Sequence, residues 1–266
     1  MQIGDIVKRQ NIKEDSLFTI KTIRPNNICE LHALGARFWA ESPLEALRPA
    51  KVEQVQGEAR HFRQTLDGRV AKALSNREAV PQGAFFLPGR VLHVDADAEY
   101  LRICAQTYAR LQVPNACIPV AEEWQATQID DLLEMYRPNI LVLTGHDALL
   151  NREAPADVEQ YKSTLHFIRA VRQARRFQSS RDGLAIIAGA CQSHFEGLME
   201  AGANVASAPD RIRIHALDPL LVAEKIAYTP IGTILAAEAL AAAGITGLRG
   251  IGGCQTRGML RIGAPG

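Results

Sequence analysis

The chain has 266 residues, 47% hydrophobic and 22% charged, enough for one good hydrophobic core with a smaller second unit beside it. Its formal net charge of +1 excludes the strong field expected of a nucleic-acid binder or of a protein held on an anionic membrane. No apolar run is long enough to cross a bilayer, the opening MQIGDIVKRQ lacks the apolar stretch of an export signal, and five widely spaced cysteines without a CxxC pair argue against a disulfide framework or a structural zinc site.

Residues 1 to 50 read as four short strands, IGDIVKR, SLFTIKTI, ICELHAL and ARFWAE, split by polar turns such as RPNN and closed by SPLEALRP. Four strands in fifty residues suggest a small SH3-like β-barrel. Residues 51 to 84 read as a polar helical connector, interrupted near Gly57 and Gly68. From residue 85 to 266 the pattern changes. RVLHVDAD, ACIPVA, NILVLTGHD and GLAIIAGAC read as buried strands. AEYLRICAQTYARLQV, QIDDLLEMYRP and DVEQYKSTLHFIRAVRQARRF, the helices between them, precede QSHFEGLMEAG, a helix that starts directly behind Cys191 and ends on a glycine cap. ANVASAP and RIRIHALDP read as further strands, PLLVAEKIAYT and GTILAAEALAAAG as the last helices. Strands that are apolar throughout and alternate with helices predict an α/β domain of three layers, with a parallel sheet covered on both faces.

Sites in such sheets form beyond the carboxyl ends of the strands. Those ends carry Asp95 and Asp97, then Thr144, Gly145, His146 and Asp147, then Ala188, Gly189, Ala190 and Cys191, and finally His215 and Asp218. His146 and Cys191 follow two apolar strands joined by a helix of crossover length, so the pair is expected at one cleft. An imidazole that takes the proton of a thiol makes it a nucleophile. The helix expected behind Cys191 favours its thiolate, and backbone N–H groups at Gly145 and Cys191 suit an oxyanion. Against this stands a packed, inert thiol. His194, three residues after Cys191, and His215, near Asp218, are rival bases. Asp147 is read first as a cap and second as an orienting carboxylate. Arg169, Arg172, Arg175 and Arg176 read as a solvated helix face, and GIGGCQTRG lacks the strand–helix frame of a nucleotide loop, which leaves Cys254 structural.

The order of histidine then cysteine, each after an apolar strand, resembles the caspase–legumain–gingipain group of cysteine peptidases, though that group has His-Gly where this chain has Gly145-His146. A closer resemblance spans nearly the whole chain: MQIGDIVKR, VLHVDADAEYL, YRPNILVLTGHD, AGACQSHFE, AGANVASAP, IHALDPLLVAEKIAYTP and GIGGCQTRG are similar to the YabG family of sporulation-specific peptidases. The resemblance implies a cysteine protease with Cys191 and His146 as its pair and no metal or organic cofactor. It also implies spore coat and cortex-associated proteins as substrates, cleavage after arginine, and a place in the mother cell or on the developing coat. Neither nucleic acid nor membrane is an expected partner. The fold expected is caspase-like or flavodoxin-like behind the barrel. An arginine pocket needs a carboxylate, for which Asp218, Asp147, Asp95 and Asp97 are candidates, Asp218 first. Two alternatives stay open: a glutamine-amidotransferase-like amidohydrolase pairing Cys191 with His215 or His194, and a non-catalytic spore assembly protein.

Overall fold

The computed structural model describes residues 1–10, 12, 15–77 and 84–264. The last part of the expected connector, residues 78–83, lies outside them. The first strands form one antiparallel sheet: β1 (Ile6–Arg9), β2 (Phe18–Ile23), β3 (Ile28–Ala33), β4 (Trp39–Pro43) and β5 (Leu47–Pro49), in the order β4-β3-β2-β1-β5. Val7, Phe18, Ile20, Leu31 and Leu47 fill its interior. The fifth strand and the 3-10 turn Leu44–Ala46 before it occupy the SPLEALRP stretch, which was read only as a closing segment.

Helix α1 (Val52–Ser75) follows without a break. Gly57 and Gly68 do not interrupt it; both sit where an added Cβ would meet nothing within 4 Å, so each costs about 1 kcal/mol against alanine. Leu66 and Val70, one helical turn apart and on either side of Gly68, pack the helix onto the α/β core.

The second sheet contains β7 (Val91–Asp95), β8 (Asn115–Pro119), β9 (Ile140–Leu143), β10 (Ala185–Ala188), β11 (Val205–Ser207) and β13 (Ile251–Gly253), in the order β13-β11-β10-β9-β7-β8. Its first five strands are mutually parallel, as their unbroken apolar character predicts. The sixth runs antiparallel against β11 and departs from the expected all-parallel sheet. Gly253 permits that pairing, since a Cβ there would stand 2.4 Å from the Asn204 carbonyl oxygen. Two ribbons complete the strands: β6 (Phe85–Leu87) pairs with β15 (Arg261–Gly263), and β12 (Ile234–Leu235) with β14 (Thr256–Arg257).

Side chains alternate across the sheet with period two. Val91, Ile140, Val142, Ala185, Ile187 and Val205 face a layer made by α2 (Ala98–Arg110), α6 (Asp218–Ala227), α7 (Ala237–Ala243) and part of α1. Leu92, Val94, Leu141, Leu143, Ile186 and Ala188 face α3 (Glu122–Tyr136), α4 (Thr164–Phe177) and α5 (Phe195–Ala201). Helix α4 shows why: Phe167, Ile168, Val171 and Ala174 recur at three- and four-residue spacing on its buried side. On the same helix Arg175 is not solvated as expected; its guanidinium donates to the Gly202 and Leu184 carbonyls at 2.8 and 2.9 Å and to Asn204 at 2.6 Å.

Three further expectations change. The segment from Asp157 is a 3-10 turn at Val158–Gln160, and α4 starts only at Thr164. The helix behind Cys191 starts at Phe195, with His194 as its N-cap, and ends on Gly202 at φ +115°. RIRIHALDP forms no strand beyond an isolated bridge between His215 and Ala36. Its backbone is consumed one partner at a time, with Ile214 on the Cys191 sulfur, His215 on Asp218 and Ala216 on Gly35.

Between β3 and β4 the chain leaves the first sheet and lies across the carboxyl ends of the second sheet. Ala36 bridges to His215 on one side and Phe38 to Asp147 on the other. Among the described residues, no helix is long and apolar enough to cross a membrane.

Candidate active site

Strands β9 and β10 are neighbours, and Leu143 and Ala188 are the last register partners of their ladder. His146 and Cys191 each lie three residues beyond that pair. Both residues thus follow neighbouring strands at the same end of the sheet. Gly189, at φ +104°, turns the chain out of β10 where a Cβ would press against Leu198 at 2.8 Å. Gln192, directly after Cys191, holds φ +59°, a conformation uncommon for a residue with a side chain and one that concentrates at functional sites.

Cys191 is fully buried. Its sulfur accepts the Ile214 N–H at 3.2 Å, and the thiol points to the Ile214 carbonyl at 3.5 Å. Its own N–H donates to the Arg37 carbonyl oxygen at 3.1 Å. Burial pushes the thiol up to about 12, against the pull of the Ile214 amide and the Arg37 charge. The resting group is therefore SH, not thiolate. The expected help from a helix dipole is absent because α5 begins four residues later, at Phe195.

His146 is buried, and its ring stacks on His32 with centroids 3.8 Å apart. Its Nδ1 is buried without a hydrogen-bond partner. Burial, then the Arg37 and His32 charges, push its pKa well below the ordinary range, so the imidazole is neutral. Among the described residues no hydrogen bond joins it to the Cys191 sulfur. Its backbone N–H donates to Glu122 Oε1 at 2.8 Å. Burial raises the Glu122 carboxyl to about 7. Gly145 makes room for this contact: a Cβ there would sit 2.2 Å from Glu122 Oε1.

The Asp147 carboxylate is committed to partners other than the His146 imidazole. Its carboxylate accepts from the Ala148 and Ser163 amides at 2.9 and 2.7 Å, from the Thr164 hydroxyl, and from the Ser193 hydroxyl at 2.8 Å. Ser193 in turn accepts the Ala190 N–H at 2.9 Å. Asp147 thus ties the loop after β9 to the loop that carries Cys191. His194 caps α5 by accepting from the Gly197 N–H at 3.0 Å, while Nε2 lies 3.2 Å from the Ala156 carbonyl. The His215 ring stacks on Phe62 and accepts the Leu217 N–H at 3.1 Å. Asp218 is buried and committed to the amides of His215, Ile245 and Thr246 and to the Thr246 hydroxyl.

Asp95 ends β7, beside β9. It is buried and accepts from the Arg37 guanidinium, from the Thr144 hydroxyl at 2.6 Å and from the Asp97 amide at 2.8 Å. Asp97 stands 3.6 Å from the same guanidinium, and the Arg37 Cζ lies 4.1 Å from the Tyr100 ring centroid. Burial opposes the Arg37 charge, but Asp95, Tyr100 and Asp97 together overturn it and hold the guanidinium protonated. Thr144 also meets buried His93 at 3.0 Å, so a polar chain runs from the sheet interior to this pocket.

Three residues in contact with His146 or Cys191 were not read from the sequence: Glu122, His32 and Arg37. Glu122 carries only the signal of an acid in a first helical turn, His32 that of an ordinary strand residue, and Arg37 lies inside what reads as strand ARFWAE. Among the described residues, no group of three or more histidine, cysteine, aspartate or glutamate side chains is arranged to hold a metal ion. A groove lined by Arg90, Leu133, Arg137, Asn139, Phe177 and Leu184 opens at the opposite, amino ends of the strands.

Comparison with known proteins agrees with the motifs. The family model described as YabG peptidase U57 matches residues 2–265. The sporulation-specific protease YabG of Bacillus subtilis (strain 168) is 37% identical over 287 residues, covering 99% of this chain and 98% of that protein. With the whole chain matched in both comparisons, this protein belongs to the YabG family of peptidases.

Proposed function

We propose that this chain is a cysteine endopeptidase of sporulation in which Cys191 attacks the scissile carbonyl and His146 moves the protons. The observation that carries the reading is the register of β9 and β10, whose last partners, Leu143 and Ala188, each precede one of the two residues by three positions. The His146 ring has an unpartnered nitrogen to offer. The rival imidazoles, His194 and His215, are occupied by backbone groups of their own neighbourhoods. The name of the Bacillus subtilis relative supports a protease acting in sporulation.

In this mechanism His146 takes the thiol proton, the sulfur bonds to the carbonyl carbon, and the C–N bond breaks as the imidazolium returns its proton to the leaving amine. Water then hydrolyses the thioester. Backbone N–H groups of Cys191 and Gly145 hold the oxyanion. Substrates are spore coat and cortex-associated proteins cut after arginine, in the mother cell or at the coat. Asp95 and Asp97 suit the arginine better than Asp218 does, since their carboxylates already face a guanidinium. The five-stranded order of the first sheet supports the SH3-like reading of the barrel. The order 2-1-3-4-5 of the parallel strands is shared by doubly wound folds, and histidine and cysteine at adjacent strand ends favour the caspase-like version.

The test is processing of a spore coat protein extract by wild type, Cys191→Ala, His146→Ala and His215→Ala. Loss of processing in the first two variants and its survival in the third are expected. Equal processing by wild type and Cys191→Ala sinks the thiol mechanism.

A further inference from the structure

We propose that residues Gly35–Trp39 are a built-in substrate surrogate that keeps the cleft shut, with Arg37 seated in the arginine-specificity pocket formed by Asp95, Asp97 and Tyr100. The inference rests on the peptidase reading above and adds the pocket residues and a mode of control.

Three independent features of the segment match a bound peptide. First, beyond the turn at Gly35, Ala36 and Phe38 form β-bridges to the segments on either side, His215 and Asp147, as a peptide does when it adds to an open edge. The Ala216 N–H donates to the Gly35 carbonyl at 3.1 Å, and the Trp39 N–H donates to the Asp147 carbonyl at 3.2 Å. Second, the carbonyl of Arg37 receives the Cys191 N–H at 3.1 Å, so the peptide bond after an arginine presents its oxygen to the amide of the reacting residue. Third, the arginine side chain enters a closed pocket, with one carboxylate at its end, a second beside it, and an aromatic ring against the guanidinium face. Arg37 is only 3% exposed.

The seat has a defect that suits an occupant required to leave. The Arg37 Nε is buried without a partner. While the segment stays, Cys191 is wholly covered and packs in one cluster with Phe38 and Ile214. Exit of the loop exposes the thiol and frees the pocket together, and a substrate arginine then restores the charge that Arg37 had supplied.

The experiment uses the full-length chain. Iodoacetamide labelling of Cys191, located by peptide mass spectrometry, and hydrolysis of a small arginyl-amide fluorogenic peptide are measured for wild type, Arg37→Ala, Arg37→Lys and Cys191→Ala. Arg37→Ala is expected to label at least tenfold faster than wild type and to turn over the peptide correspondingly faster. A synthetic heptapeptide with the sequence of residues 34–40 is expected to inhibit that variant, and the same peptide with alanine for its arginine is not. If Arg37→Ala fails to fold, Arg37→Lys serves. It keeps a charge in the pocket, loses the fork, and is expected to label at least threefold faster. Labelling and turnover at the wild-type rate in folded Arg37 variants overturn the proposal. If Cys191→Ala abolishes turnover while the Arg37 variants change nothing, only the surrogate fails; if Cys191→Ala still hydrolyses the peptide, the peptidase reading fails first.

Discussion

Leu143 and Ala188 face each other as the last partners of the β9–β10 ladder, and the chain leaves both strands toward His146 and Cys191 over the same number of residues. Parallel neighbours lie about 4.8 Å apart, so the two loops that carry these residues leave the sheet side by side. On the thiol reading, Cys191→Ala and His146→Ala each lower kcat/KM on an arginyl peptide by at least about a thousandfold. His215→Ala stays within a few-fold, since its ring faces Phe62 and the Leu217 amide. Steady-state kinetics on the four proteins decide this, and an inactive His215→Ala beside an active His146→Ala favours the amidotransferase-like pairing.

Glu122 gives a pH prediction. Its carboxyl ordinarily titrates at 4.5 and is raised to about 7 by burial. A group whose folded pKa lies above its unfolded value contributes stability below the unfolded pKa and loses it as pH rises through the folded one. Wild type therefore loses on the order of 2–3 kcal/mol between pH 5 and pH 8 relative to Glu122→Gln, which keeps an acceptor for the His146 amide but cannot ionise. Urea unfolding at both pH values measures the difference, and parallel behaviour of the two proteins refutes it.

Gly145 and Glu122 are coupled through space. A Cβ at residue 145 would stand 2.2 Å from Glu122 Oε1, so Gly145→Ala displaces the carboxylate that holds the His146 amide. The expected result is a fall in kcat of about tenfold with KM little changed and the protein still folded by circular dichroism. Unchanged kcat shows that the Glu122 contact does not position His146.

Asp147 and Asp218 are expected to act on stability. Each serves four donors from its surroundings. Removing either carboxylate leaves buried donors unsatisfied and costs about 3 kcal/mol or more. In a chain of this size that lowers Tm by roughly 6–12 °C. Asp218→Ala leaves arginine selectivity intact, whereas Asp97→Asn reduces it. Calorimetry, together with matched arginyl and lysyl peptides, separates the two effects.

The sequence carried most of the α/β frame because its central strands are buried on both faces and therefore spell unbroken apolar runs. Edges and ends were less legible. Ile251–Gly253 escapes notice because two of its three residues are glycine, which has no side chain to advertise a strand. Residues 211–217 misled in the opposite way: they alternate like a strand, yet Arg211 adopts φ +54° and the Ile214, His215 and Ala216 amides find three unrelated partners. His146 and Cys191 could be paired from the sequence because each follows an apolar strand with small residues around it. Glu122 and Arg37 were not, because their meaning comes from contacts with residues 24 and 58 positions distant.

The arrangement of the first sheet and the thiol also sets an order in time. Translation runs from the amino end, and leading units fold as they emerge. The first sheet precedes Cys191 by more than half of the chain. On the surrogate proposal, its tip is finished and waiting when the last strands come off the ribosome, and a nascent molecule closes over its own sulfur as the sheet is completed.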